Sequence, residues 1–187
     1  VLKQVLGPTR AKLQKAGESG KIWVVSMDFR HYYHQLECCK FLQSFWGLAY
    51  KEAKKIVHVM WRNVPMGWSW APWVAQCLGW HFIAHNSSLF ASTSDYQTPP
   101  KYLKMANDMG VAFLYIDNVH AYFLSKEDAI KFMEETGRNM ATYNVKLKYA
   151  FLDGEGHDID FKTRGNMAPP GEKEVWPEVY DVKVTPN

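Results

Sequence analysis

The chain has 187 residues, 47% hydrophobic and 15% aromatic, with a formal net charge of +3. That length and composition suit one folded domain with a real core and exclude a disordered chain. The weak charge neither requires nor excludes a nucleic-acid partner, and Cys38, Cys39 and Cys77, with no CxxC spacing, argue against a disulfide framework and structural zinc.

In chain order, residues 1–17 read as two short helical pieces broken at Gly7-Pro8, followed by a turn at 17–21. The run IWVVSMDF, 22–29, is too uniformly apolar for a half-exposed strand and predicts a central one. Residues 30–42 read as helical or turn-like. IVHVMW, 56–61, predicts a strand, and NVPMGWSWAP, 63–72, a loop entering a helix. In that helix Trp73, Cys77 and Trp80 fall at i, i+4 and i+7, the spacing of one apolar stripe. Residues 86–100 read as an exposed, flexible loop.

FLYIDNVHAYF, 113–123, predicts a β-hairpin with Asp117 at its tip. Ser125 is placed to cap a helix over 126–142, with Asp128 at its third position. Ile130, Met133 and Met140 line one face of that helix, and Gly137 weakens it by about 1 kcal/mol relative to Ala. NVKLKYAFLD and DIDFKTRG predict two more strands, and the Pro-rich tail 168–187 a loosely ordered end. Strands mixed with helices and sequential hairpins indicate an α+β fold, not a doubly wound sheet. No apolar run approaches the roughly 18 residues of a membrane span, and no signal peptide is visible. The expected location is a reducing, intracellular compartment, cytoplasmic or nuclear. The opening at Val1 instead of Met suggests a fragment.

Two carboxylates interrupt apolar strands: Asp28 closes IWVVSMD and Asp117 sits in FLYIDNV. A carboxylate in such a place must be hydrogen-bonded, paired or bound to metal. On neighbouring strands the two would converge, and converged carboxylates repel unless a cation lies between them. Mg²⁺ prefers carboxylate oxygens together with substrate phosphates, and the chemistry of such a site is phosphoryl or nucleotidyl transfer. The plainer reading is that each Asp ends a strand and bonds backbone amides.

The order of motifs adds to this. MDFRHYYHQL, 27–36, VPMGWSWAPWVAQ, 64–76, and YIDN, 115–118, resemble three palm motifs of reverse transcriptases, with NVKLK and DIDFKTRG resembling two later palm elements. The similarity covers about residues 8–166, and its character is that of a retrotransposon-type element, of the tyrosine-recombinase class. The resemblance implies an antiparallel palm sheet packed on helices over 1–167, RNA-directed DNA polymerase activity, and two Mg²⁺ ions. Asp28 and Asp117 would be metal ligands, and Asn118 would stand where the family has a second Asp. Tyr33 would lie under the nucleotide sugar and reject a 2′-hydroxyl by a clash, unless it is a core residue. Met66 would touch the nucleotide or template base, Gly67 would let the backbone approach the incoming nucleotide, and Lys148, or Lys146, would approach the phosphates. Gln76 would reach the template or be a solvated helix residue. Tyr115, Lys162 and Arg164 would face nucleic acid. Trp68, Trp70 and Trp73 would stack bases or, at their spacing, pack the core.

The implied partners are an RNA or DNA template-primer, deoxynucleotides and the rest of a polyprotein, with no membrane. The chain departs from the family in lacking most of the fingers, the thumb, and one negative charge at Asn118. The last departure keeps a second expectation open: a reverse-transcriptase-like remnant or binding scaffold without catalysis.

Overall fold

In the computed structural model, residues 7–18, 22–91 and 99–153 are described. The first predicted helical piece, most of the 17–21 turn, the strand over 158–165 with Lys162 and Arg164, and the tail 168–187 lie outside them.

The fold is α+β. Five antiparallel strands form one sheet: β1 (Trp23–Phe29), β4 (Leu103–Lys104), β5 (Gly110–Tyr115), β6 (Asn118–Phe123) and β7 (Leu147–Asp153), in the order β4-β5-β6-β1-β7. β1 is flanked on both sides, as its unbroken apolar run predicts. Helices α4 (Ala71–Ala84) and α5 (Lys126–Thr142) cover one face, where Val25, Met27, Val119, Ala121 and Phe123 are buried. The Ser125 side chain accepts the Asp128 N–H at the start of α5, the expected cap.

The other face changes character along its length. Register pairs Val24 with Tyr122, Ser26 with His120 and Asp28 with Asn118. Helix α1 (Pro8–Glu18) covers the first of these rows, where Leu13 packs with Val24, Val111 and Tyr122. The next row is polar and the last acidic. A period of two residues thus leads one sheet face from core to site.

Three expectations need correction. In α4 the buried positions are Ala71, Ala75, Gly79, Trp80, Phe82, Ile83 and Ala84, while Trp73 is 41% exposed. The i, i+4 row from Trp73 runs through Cys77 to His81 and His85, not into Trp80, because Trp80 turns inward and donates its indole N–H to the Pro100 carbonyl at 2.9 Å. Core packing therefore fails for Trp73 and for Trp70, 59% exposed; Trp68 is half-buried against Trp46, with ring centroids 4.9 Å apart. The 86–100 segment is not simply exposed: Leu89 and Phe90 are buried, and Glu135 of α5 accepts bonds from Ser87 Oγ, Ser88 N and Ser88 Oγ.

Two strands escaped the periodicity. The edge strand β4 is very short. β2 (Gly47–Glu52) pairs with β3 (Lys55–Met60) in a separate ribbon whose residues are almost all exposed, so no buried face left a pattern to read. The short helices α2 (Tyr32–Gln35) and α3 (Lys40–Gln43) fill the helical or turn-like 30–42 segment. Among the described residues no helix is long and apolar enough to cross a membrane.

Candidate active site

The acidic end of the sheet is built by register. Asp28 is the Cα partner of Asn118, which also pairs with Tyr115 across the β5–β6 hairpin. Asp117 stands in the two-residue loop between those strands, and its carbonyl accepts the Phe29 N–H at 2.9 Å. The hairpin tip is therefore sewn to the end of β1, and the two carboxylates feel one another. Burial raises the Asp28 pKa above the ordinary carboxylate value; Lys148 on β7 opposes that shift and the Asp117 charge adds to it.

Asn118 is not a turn residue. It opens β6, and its Nδ2 donates to Asp117 Oδ1 at 3.0 Å. That bond fixes the amide orientation and leaves Oδ1 buried with no hydrogen-bond partner among the described residues. A buried orphan acceptor of this kind costs on the order of 1–3 kcal/mol unless something meets it.

The turn itself is conformationally unusual. Ile116 takes φ 56°, a left-handed conformation poorly suited to a β-branched residue. Gln76, on α4, holds it there: Oε1 accepts the Ile116 N–H at 2.7 Å and Nε2 donates to the Leu114 carbonyl at 2.8 Å. Gln76 thus neither reaches outward to a template nor lies solvated on the helix. Its amide is spent on the hairpin backbone. One turn on, Gly79 allows close contact, since a Cβ there would come within 2.6 Å of Leu114 Cδ2 and 3.4 Å of the Ile116 carbonyl.

Tyr33 is half-buried beside this group, and its phenol pKa is raised by burial, then by Asp117 and Tyr115. The core role belongs to its neighbour: Tyr32 is buried and donates its hydroxyl to the Ala75 carbonyl at 3.0 Å. Tyr115 is 74% exposed at the mouth of the site. The structure thus brings together Asp28, Asp117, Asn118, Tyr33, Tyr115 and Lys148. Met66, 70% exposed, and Gly67, at φ 96°, stand in the open on the turn before α4, where a Cβ on Gly67 would meet nothing within 4 Å.

Two supporting features were missed in the sequence. Gln35 clasps the start of β7: its Oε1 accepts the Lys146 N–H at 2.6 Å, and its Nε2 donates to the Lys146 carbonyl at 2.9 Å and to the Arg30 carbonyl. Ser26 Oγ meets His120 Nδ1 at 3.1 Å one row below the acidic pair, and burial lowers the His120 pKa, favouring the neutral ring. The alternation of polar residues in SMD and NVH was the available signal for that second row. No protein-family model and no curated protein matches this chain.

The residues present fit a hard divalent cation. Two coupled carboxylates and an orphan amide oxygen on one small patch are all oxygen donors of the kind Mg²⁺ and Ca²⁺ take. The charge cost of placing Asp28 near Asp117 and the unmet Asn118 Oδ1 would be relieved by the same ion.

Proposed function

We propose that this chain is the palm of a reverse-transcriptase-like polymerase of a retroelement, adding deoxynucleotides to a primer on an RNA or DNA template. The observation that carries this reading is the acidic row itself: Asp28 and the Asp117–Asn118 tip meet at one sheet end, with Tyr33 and Lys148 beside them. In this reading Asp28 and Asp117 hold Mg²⁺, with Asn118 Oδ1 as a neutral third donor. The chemistry that bound Mg²⁺ supplies is activation of the attacking oxygen and neutralisation of phosphate charge.

The chain's own residues do the rest. The Lys148 ammonium, close enough to Asp28 to oppose its pKa rise, offers positive charge to a triphosphate. The Tyr33 ring stands where a sugar would lie, and its bulk excludes a 2′-hydroxyl by contact. Gln76 and Gln35 touch no substrate; they hold the hairpin and the start of β7 so that the carboxylates keep their places.

The test is primer extension by the protein carrying this chain, with Mg²⁺ and deoxynucleotides. Activity abolished by Asp28→Asn or Asp117→Asn, and relaxed sugar discrimination in Tyr33→Ala, are the expected results. Extension that survives both carboxylate changes overturns the proposal. One observation favours a second reading, a reverse-transcriptase-like scaffold without catalysis: Asn118 removes a unit of negative charge from the site. Asn118→Asp separates the two. In a working enzyme it lowers the Mg²⁺ concentration needed; in a scaffold the protein stays silent with all three carboxylates in place.

A further inference from the structure

Away from the acidic row, the C-terminal ends of α4 and α5 carry a second group of ligating side chains. His81 lies in the last turn of α4 and His85 is the extended C-cap residue that follows Ala84. Their rings lie side by side in a tilted arrangement, with centroids 4.5 Å apart and planes 30° apart. Tyr143, just beyond α5, closes the group: its hydroxyl lies 2.8 Å from His81 Nε2, and its ring centroid is 5.1 Å from that of His81 and 6.2 Å from that of His85. All three side chains are partly open to solvent.

We propose that His81, His85 and Tyr143 form a site for a divalent transition metal, Cu²⁺ or Zn²⁺, joining the end of α4 to the end of α5. Two neighbouring imidazoles can share one metal ion at the 2.0–2.1 Å of metal–nitrogen bonds once their rings rotate to aim a nitrogen each at it, a movement their partly open positions permit. Imidazole and phenolate donors suit Cu²⁺ and Zn²⁺ and disfavour Mg²⁺, so this site and the acidic row select different ions. The hydrogen bond between Tyr143 and His81 already places the phenol oxygen beside the ring. Coordination replaces that bond, and the phenol proton passes to solvent. Ring packing alone would account for a Tyr between two helices; two adjoining imidazoles with a phenol oxygen on one of them supply three donors at one place.

The contrast within the chain supplies a control. His31 and His34 are also near neighbours, but their rings are edge-on at 85° with centroids 6.2 Å apart. The test is calorimetric titration of the chain with Zn²⁺ and with Cu²⁺ at pH 7.5, together with the Cu²⁺ absorption spectrum. One ion is expected per chain, with His81→Ala and His85→Gln each weakening it about tenfold or more. His31→Ala/His34→Ala should leave the affinity unchanged. Tyr143→Phe should remove the phenolate-to-copper charge-transfer band while retaining most of the affinity, a readout that a loss of packing would not imitate. Circular dichroism checks the folding of each variant, and His85→Gln, at the exposed end of the helix, stands if His81→Ala unfolds. No binding by the unaltered chain, or equal losses in the control pair, overturns the proposal.

Discussion

Two hairpins in this molecule share one turn geometry and differ in everything around it. β2–β3 and β5–β6 each turn through two residues, and the first takes a left-handed conformation without being glycine: Ala53 at φ 52° and Ile116 at φ 56°. The Ala53 turn lies in solvent at the end of an exposed ribbon. The Ile116 turn is gripped by Gln76, crowded by Gly79 and sewn to β1 through Asp117. Strain at a turn therefore does not mark a site; strain held in place from several sides beside a carboxylate does.

The comparison can be broken first at Asp28. Asp28→Asn should abolish divalent-cation binding at the acidic row and at the same time raise stability at neutral pH. The sign follows from linkage. Burial raises the folded-state pKa above the ordinary 3.8, so between the two values the folded state holds more protons than the unfolded one. Stability is lost as pH rises through that window, and the penalty persists above it. A neutral Asn removes it. Thermal melts of both proteins from pH 3 to 8 check this: the gap between them should open as pH rises and close in acid.

Next in size is Gln76→Ala. It leaves the Ile116 N–H and Leu114 carbonyl without their partner and should cost about 1–3 kcal/mol. Amide exchange at Ile116 should quicken far more than at Val119 in the middle of the same sheet. No comparable substitution exists in the β2–β3 ribbon, where no side chain among the described residues is recorded clasping the turn. Gly79→Ala should follow, costing roughly 1–2 kcal/mol, because Leu114 must give way and the nearby Ile116 carbonyl cannot easily follow. Chemical denaturation measures it. The smallest effect is expected at Ala53→Gly, which relieves left-handed strain at an exposed turn and should stabilise the chain by less than about 1 kcal/mol. A loss there would mean that the ribbon turn is held as tightly as the other.

Much of the acidic row was legible in the sequence, and the reason is physical. Asp28 and Asp117 stand out because strands that bury their neighbours do not tolerate a charge without cause. The central position of β1 was legible for the same reason. What was not legible depends on contacts distant in the chain. Gln76 reads as an ordinary helix residue, and only its 38-residue reach to Leu114 reveals the clasp. Asn118 reads as a turn residue, because a hairpin tip in the sequence does not say which of its residues already belongs to a strand. Trp70 and Trp73 suggested core because aromatic spacing reports a helix face, not which face is turned inward. Within the exposed ribbon β3 was legible from its β-branched residues, as the strand expected at 56–61, but its partner β2 escaped because a strand exposed on both sides has no alternation to show.

The central claim is that the acidic row is a divalent-cation site, and it is tested most directly by a Mn²⁺ titration of this chain followed by electron paramagnetic resonance, with Mg²⁺ as competitor. The account predicts bound Mn²⁺ that Mg²⁺ displaces, binding lost in Asp117→Asn, and binding retained in the His81→Ala/His85→Gln double variant. Mn²⁺ binding that is unchanged in Asp117→Asn, or absent from the unaltered chain, would contradict it.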